Sequence, residues 1–398
     1  MTMPPLPQSA DATGTVAIIG GAIVGSCTAY FLRELGFRGR ILVLERDATY
    51  ARSSTALSAA SIRTQFGCPV NVRMSLFGPD FLRELKQRFG ADADIGRVER
   101  GYLVLGGHGT AESRRAGAAM QAEQGAAIAV LTPAQLHERF PWLHVEDLDI
   151  GTLGLREEGW FDAWSLLQLV RGGARRLGAE YLDATATDIE MHGGRVTAVR
   201  TAEGQTIPAD WCVMAAGAAS GALMRRHGLL LPVEPRKRTV FALRAPLDGA
   251  DMPMLFDTSG AWIRPEGKGF IAGIAPPEEA DPDATDDFAA AHEQFEEMLW
   301  PVLAHRIPAL EQVRVERAWA GHYEVNTLDH NGVIGPHDEV ANLILATGFS
   351  GHGLQHAPAT GRGVAECILH GAYRSIDLSP LGYARIRANE PLHETVVY

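Results

Sequence analysis

The chain has 398 residues, enough for two or three domains with ample core. Its apolar fraction of 46% and charged fraction of 21% are those of an ordinary soluble globular protein, and a net charge of −12 argues against nucleic acid and anionic membranes as partners. No run reaches the ~18 apolar residues that a membrane helix needs. Residues 1–14 lack Lys, Arg and an apolar stretch of signal length, so they read as a loose tail on a cytoplasmic protein. Cys27, Cys68, Cys212 and Cys367 have no paired spacing, so neither a disulfide framework nor a metal site is expected.

Val16 to Ile19 is a short apolar run fit for a central parallel strand. It enters Gly20-Gly21-Ala22-Ile23-Val24-Gly25, and an apolar helix follows through Tyr30, Phe31 and Leu35. Gly20 and Gly25 suit a tight turn and close helix–strand packing, and the N–H groups of the new helix favour a pyrophosphate. Ala22 stands where the fingerprint has its middle glycine, the mildest possible change. The next strand, Ile41 to Leu44, ends at Glu45, whose carboxylate can accept ribose hydroxyls and disfavours a 2′-phosphate. Such a turn alone occurs in many α/β proteins; the strand before it, the helix after it and the acid behind it make it a dinucleotide site.

Further along, residues 52–61 are small and poor in core-forming side chains. Met74, Leu76, Phe77, Phe81 and Leu82 mark one apolar helix face, and Arg97 to Leu105 reads as a strand. Thr132 and Pro133 open a short helix to Phe140. Trp164 to Leu177 reads as a helix, Glu180 to Leu182 as a strand, and Thr187 to Val199 as a hairpin turned at Gly193-Gly194. Trp211 to Met214 is a buried strand before the small-residue turn Ala215 to Ser220. Residues 236–274 alternate as strands, and 276–287 is a solvated Pro/Asp/Glu loop. Trp262 and Trp319 read as core of this second region.

Near the C-terminus, Leu343 to Thr347 runs into Gly348-Phe349-Ser350-Gly351-His352-Gly353-Leu354-Gln355, a second glycine-rich strand–turn–helix. Two such turns, one at each end, point to a cofactor long enough to be gripped at both ends, a flavin dinucleotide rather than a nicotinamide. The fold class is therefore α/β: a Rossmann-like FAD-binding domain of glutathione-reductase type, with a sheet-rich α+β cap over it. Residues 15–85, 150–228 and 318–390 make the discontinuous FAD-binding domain, and 86–149 and 229–317 the cap.

Several segments carry a family resemblance: Arg52 to Ser58, Gly154 to Gly159, Pro232 to Arg238, Ala318 to Gly321, and Asn331 to Glu366. With them the chain resembles the D-amino-acid oxidase superfamily of FAD-dependent oxidoreductases across nearly its whole length beyond residue 15. That superfamily includes glycine-, sarcosine- and dimethylglycine-oxidising enzymes, and a mitochondrial branch of the complex I assembly type that is similar throughout. The resemblance implies adenosine near Glu45 and Arg46, and pyrophosphate near residues 20–25, Arg52, Ser53 and Ser54. It places the flavin ring near Ala59, Ala60 and Ser61, with Ala186, Ala216, Gly217 and Gly348 also along the cofactor. Ser350, Gly351, His352, Gly353, Leu354 and Gln355 would face the ring, the glycines leaving it room. No cysteine lies near Gly321-His322-Tyr323, and Leu57 stands where another branch has its flavin-linked histidine. The FAD is expected to be non-covalent.

For substrate, the resemblance implies carboxylate recognition by Arg63, with neutral Gln355 where related enzymes have a second cation. Arg63 can also be read as structural. Tyr323 reads either as a pocket residue orienting an amine or as packing, and His352 either as a donor near the flavin or as a histidine bonded locally. The activity implied is oxidation of a C–N bond in a small secondary amine or N-alkyl amino acid, giving an imine that hydrolyses. Oxygen, a quinone or an electron-transfer flavoprotein would be the acceptor. No lysine stands in Phe270 to Gly273, where oxidases of the sarcosine branch have one, which tilts the reading toward a dehydrogenase. Two alternatives remain: the same fold oxidising a 2-hydroxy acid or biosynthetic intermediate, and a flavin-binding assembly or interaction protein without turnover.

Overall fold

The computed structural model describes residues 13–394; the predicted tail lies outside these except for Thr13 and Gly14. Apolar runs of four residues, buried on both faces, form strand β1 (Thr15–Ile19) and strand β2 (Arg40–Glu45) on either side of helix α1 (Ile23–Glu34). The Glu180–Asp183 strand lies outside β2, and Trp211–Met214 and Leu343–Thr347 extend the sheet beyond β1, all parallel. Val333–Pro336 closes that edge antiparallel, giving six strands among the described residues. Helix α1, the Pro69–Arg83 helix, the Ala163–Arg176 helix and the Gly353–His370 helix cover one face through a core that includes Phe31, Met74, Leu166 and Val364. The parallel order with crossover connections is that of a nucleotide-binding sheet, in which ligands lie outside the carboxyl ends of the strands.

The second large sheet has eight strands among the described residues and is mostly antiparallel. It runs from Arg314–Asn326 through Val233–Arg244, Gly269–Gly273, Trp262–Glu266, Met254–Phe256, Tyr102–Gly107 and Leu148–Gly154 to Ile128–Leu131. Leu103, Phe241, Ile263 and Leu303 lie in its own core. Two predicted boundaries, at 150 and 318, fall inside strands of this sheet and are corrected to its ends. Leu148–Gly154 pairs with Tyr102–Gly107 on one side and Ile128–Leu131 on the other. Arg314–Asn326 pairs along its length with Val233–Arg244. An apolar segment such as Ala318-Trp319-Ala320 does not reveal which of two adjoining sheets buries it. The predicted strand from Arg97 also shortens: only Val98 bridges, to Trp160, and the regular strand starts at Tyr102. The short helix after Thr132 forms with a full capping box to Gln135. The hairpin turns at Gly193-Gly194 as read. All four cysteines are free and buried.

Candidate active site

A cavity of about 350 Å³ lies where the carboxyl ends of the parallel strands meet the second sheet. Gly20, Ala22, Ile23 and Val24 line it from the turn after β1, and Glu45 and Arg46 from the end of β2. Ala186, Ala216 and Gly217 line it from the strand ends beyond. Arg52, Ser53, Ser54 and Ala59 form another wall, and Tyr323, Gly351, Gly353 and Leu354 the far end. Gly21 and Gly25 stand behind this surface. The Gly21 N–H donates to Glu45 Oε2 at 2.9 Å, and a Cβ on Gly25 would sit 1.9 Å from the Gly20 carbonyl oxygen, the close packing predicted for that glycine. Ala60 is buried beside the wall with φ +54, and Gly348 donates its N–H to Glu324.

Two helices begin at this cavity, α1 after Ala22 and the Gly353–His370 helix after His352. Neither has a capping side chain at its first residue or an acid in its first turn. Their positive ends thus favour an anion, although the Ile23 N–H of α1 already donates to Thr55 Oγ1 at 3.4 Å. Arg46, Arg52, Arg226 and Arg238 contribute cations to the same cavity. Arg226 carried no signal in the sequence, and Arg238 only its place in the Pro232 to Arg238 segment; they reach the cavity from a helix end and from the second sheet. Glu45 is already engaged, accepting from Gly21 N–H and, at 3.1 Å, from Asp47 N–H. Burial nevertheless raises its pKa, those two donors acting in the opposite direction.

A second, smaller cavity of about 60 Å³ adjoins the first. Ser58, Ala59, Trp262, Tyr323, Gly351 and Leu354 line both. Ser61, Arg63, Ser350, His352 and Gln355 line the small one alone, with Tyr102, Met254 and Phe256 from the second sheet. Trp262 lines both cavities and also packs against the Tyr102, Trp160 and Phe256 cluster, so it is core, as read, and cavity wall at once. Trp319 is half-buried and donates its indole N–H to the Leu57 carbonyl at 3.1 Å, tying that sheet to the cofactor side. Tyr102 stacks on Phe256 with centroids 5.3 Å apart, and no periodicity in the sequence brings these two together.

Arg63 is buried, its guanidinium 3.9 Å from the Phe66 ring centroid and bonded to the Gln65 carbonyl. Gln355 accepts the Arg63 backbone N–H at 2.7 Å, so this neutral side chain holds the strand that carries the arginine. Behind it Glu158, fully buried, accepts from Thr64 N–H (2.7 Å), Thr64 Oγ1 (2.6 Å), Gln65 Nε2 (3.0 Å) and Tyr102 N–H (3.2 Å). One carboxylate therefore joins the Arg63 segment to the strand of Tyr102. Its pKa is raised by burial against those donors.

His352 is buried between Phe66 (5.4 Å) and His356 (4.9 Å). Burial, with Arg63 and His356 nearby, holds its pKa well below the usual histidine range, so the ring is neutral. Its Nε2 has no hydrogen-bond partner among the described residues, while His356 is paired to Ser75 Oγ at 2.9 Å. Burial also raises the pKa of the Tyr323 phenol. The glycines of the C-terminal turn have a second reason beyond room for a ring. A Cβ on Gly351, at φ +98, would lie 2.3 Å from the Tyr323 ring, and one on Gly353 would lie 3.2 Å from Phe349 and 3.3 Å from Glu324. His144, Asp147 and His305 form a separate grouping in the second region. There Arg306 already holds both Asp147 oxygens, at 2.7 and 2.9 Å, and pulls that carboxyl down to about 2.

A parallel sheet with two helix N-termini, arginines and an acid at the end of its second strand around one cleft, capped by a second sheet with its own cavity, defines an FAD-dependent oxidoreductase. The chain belongs to the DAO family, FAD dependent oxidoreductase, which matches residues 15–367. It is 39% identical to FAD-dependent oxidoreductase domain-containing protein 1 of Xenopus laevis, over 98% of this chain and 85% of that one. It is 27% identical to human mitochondrial sarcosine dehydrogenase, over 92% of this chain and 40% of that one. Among solved structures, L-proline dehydrogenase from P.horikoshii shares the fold, with TM-score 0.84 and 24% identity over 95% of this chain and 99% of that one. The cytoplasmic expectation is corrected by these relatives: the sarcosine and dimethylglycine dehydrogenases that align here are mitochondrial proteins. A short opening stretch without basic residues does not establish a compartment. No helix of the described residues is long and apolar enough to cross a membrane.

Proposed function

We propose that this chain oxidises the C–N bond of a small secondary amine or N-alkyl amino acid, with the large cavity holding FAD and the small one the substrate. The observation that carries this reading is the shared wall: Tyr323, Gly351, Leu354 and Trp262 belong to both cavities, and Arg63 lies in the small one. Glu45 and Arg46 sit at the adenosine end, the α1 N-terminus with Arg52, Ser53 and Ser54 receives the pyrophosphate, and Ala59 with the 350–355 turn borders the ring. FAD, when bound, would supply the two-electron acceptor for oxidation of the C–N bond, whose imine product water hydrolyses. Arg63 pairs with the substrate carboxylate through its planar fork. Phe66 beneath it, Gln355 on its backbone and Glu158 behind its strand fix the direction of that fork. His352, neutral and with Nε2 unpaired among the described residues, accepts the substrate N–H and leaves the amine lone pair free. Tyr102, Phe256 and Trp262 exclude water from the reacting carbon.

Electrons then pass to a quinone or an electron-transfer flavoprotein rather than oxygen, since Gly269–Gly273 has no lysine and Lys268 is exposed in the turn before it. A screen of amines, N-methyl amino acids and 2-hydroxy acids with a dye acceptor tests the assignment. Turnover of N-alkyl amino acids supports it, and turnover of hydroxy acids alone replaces it with alcohol oxidation in the same fold.

A further inference from the structure

Glu324 follows Tyr323 on the Arg314–Asn326 strand, opposite Pro235, and lines the large cavity. Its Oε2 accepts from Thr347 Oγ1 at 2.8 Å and from Gly348 N–H at 3.1 Å, so the carboxyl ties this strand to the turn that starts the C-terminal helix. Thr347 Oγ1 lies 2.9 Å from Ser220 Oγ and 3.2 Å from the Gly217 carbonyl, which brings the turn after Trp211–Met214 into the same cluster. Glu324 therefore stands where both small-residue turns meet the cavity. A Cβ on Gly353 would lie 3.3 Å from its Oε1, and one on Gly217 would lie 3.9 Å from its Oε2.

The surroundings do not neutralise this acid. Of its neighbours on the paired strand, Glu234 is bound to Arg225, Lys237 to Asp287 and Arg238 to Asp281, while the Arg236 guanidinium bonds the Pro235 carbonyl. The C-terminal turn offers only His352, which is neutral, and residues 217–219 offer no titratable group. His322 and Tyr323 share its own strand, and Glu45, Arg46, Arg52 and Arg226 face the same cavity. Burial dominates, raising the Glu324 pKa to about 7 against the Thr347 and Gly348 bonds. FAD brings a dianionic pyrophosphate into this cavity, and the dielectric there is low, so a carboxylate and a neutral acid differ greatly as neighbours.

We propose that Glu324 makes FAD retention proton-linked: the neutral acid closes the cleft beside the dinucleotide, and the ionised carboxylate repels it. The inference concerns cofactor binding alone and does not depend on which substrate is oxidised. The sign is fixed by linkage. An anionic ligand favours the neutral acid, so its pKa is higher in the complex than in the apoprotein. The added affinity is complete below the apoprotein value and is lost as pH rises through the value in the complex.

Apoprotein titrated with FAD, with tryptophan or flavin fluorescence as readout, gives Kd from about pH 6 to about pH 9, and Kd should rise once Glu324 ionises, by at most roughly tenfold per pH unit, before levelling off. In Glu324→Gln, a neutral side chain of the same shape, Kd should stay level across that range. Thr347→Val removes a donor that favours the ionised form, so the rise should move to higher pH. A wild-type Kd that does not change with pH overturns the proposal. So does a slope that persists in Glu324→Gln, which would assign the dependence to another group. Should Glu324→Gln not fold, an unshifted curve in Thr347→Val overturns it equally.

Discussion

The two cavities share a wall but are built by different means. The large one is shaped by the path of the backbone: strand ends, two helix N-termini, and glycines where a Cβ would strike another part of the chain. The small one is shaped by side chains from distant strands, Arg63 from the cofactor side and Tyr102, Met254, Phe256 and Trp262 from the second sheet. Holding FAD therefore depends on the course of the chain, whereas choosing a substrate depends on side chains that can be exchanged with the frame intact. Damage to the two should differ in kind.

The largest effect is expected at the large cavity. A Cβ on Gly20, at φ +99, would lie 2.2 Å from the Ala215 carbonyl oxygen. Gly20→Val should lose FAD altogether, read as the ratio of flavin to protein absorbance, whereas Phe256→Leu in the small cavity should keep full flavin. Equal flavin content in both would erase the distinction. Next comes Arg63→Ala, which should lose on the order of 10–150-fold in kcat/KM for acids, the equivalent of one hydrogen-bonded charge at ~1.5–3 kcal/mol. Simple amines should lose far less in the same variant. Equal loss for acids and simple amines removes Arg63 from carboxylate recognition.

This difference also explains how much was legible in the sequence. The β1–α1–β2 unit and the C-terminal turn could be read because only glycine and small residues tolerate those backbone paths, and that requirement shows in the residue types. The 20–25 turn, Glu45 and the 351–354 turn accordingly fall together at one cavity. Tyr102 and Phe256 gave no local pattern, since an aromatic in a strand looks the same whether it packs or faces a cavity, and the segment around Glu158 did not show that its acid is buried behind Arg63. Trp262 was read only as core for that reason, and Glu324 was passed over because nothing in its neighbourhood marks it as facing a cavity. The boundaries at 150 and 318 fall inside strands because the pairing that sets them, of Leu148–Gly154 with two strands and of Arg314–Asn326 across 12 residues, is a long-range fact.

A smaller loss is expected in Glu45→Ala, where FAD affinity should fall by about one charge-assisted hydrogen bond, ~1.5 kcal/mol. Isothermal titration checks it, and an unchanged Kd would place the ribose elsewhere. The smallest effect should come from Trp319→Phe, which removes only the indole N–H bonded to Leu57. Urea unfolding should show a loss of about 0.5–1.5 kcal/mol with flavin retained. A loss of flavin there would show that the tie between the sheets shapes the large cavity too.

The central claim, that the small cavity presents an amine to FAD in the large one, is tested most directly by an anaerobic titration of the purified yellow protein with N-alkyl amino acids. The account predicts that the flavin absorbance bleaches on mixing, with an imine or its hydrolysis products formed in equal amount. Colour unchanged by any amine or amino acid, in protein that holds stoichiometric FAD and is bleached by dithionite, would contradict it.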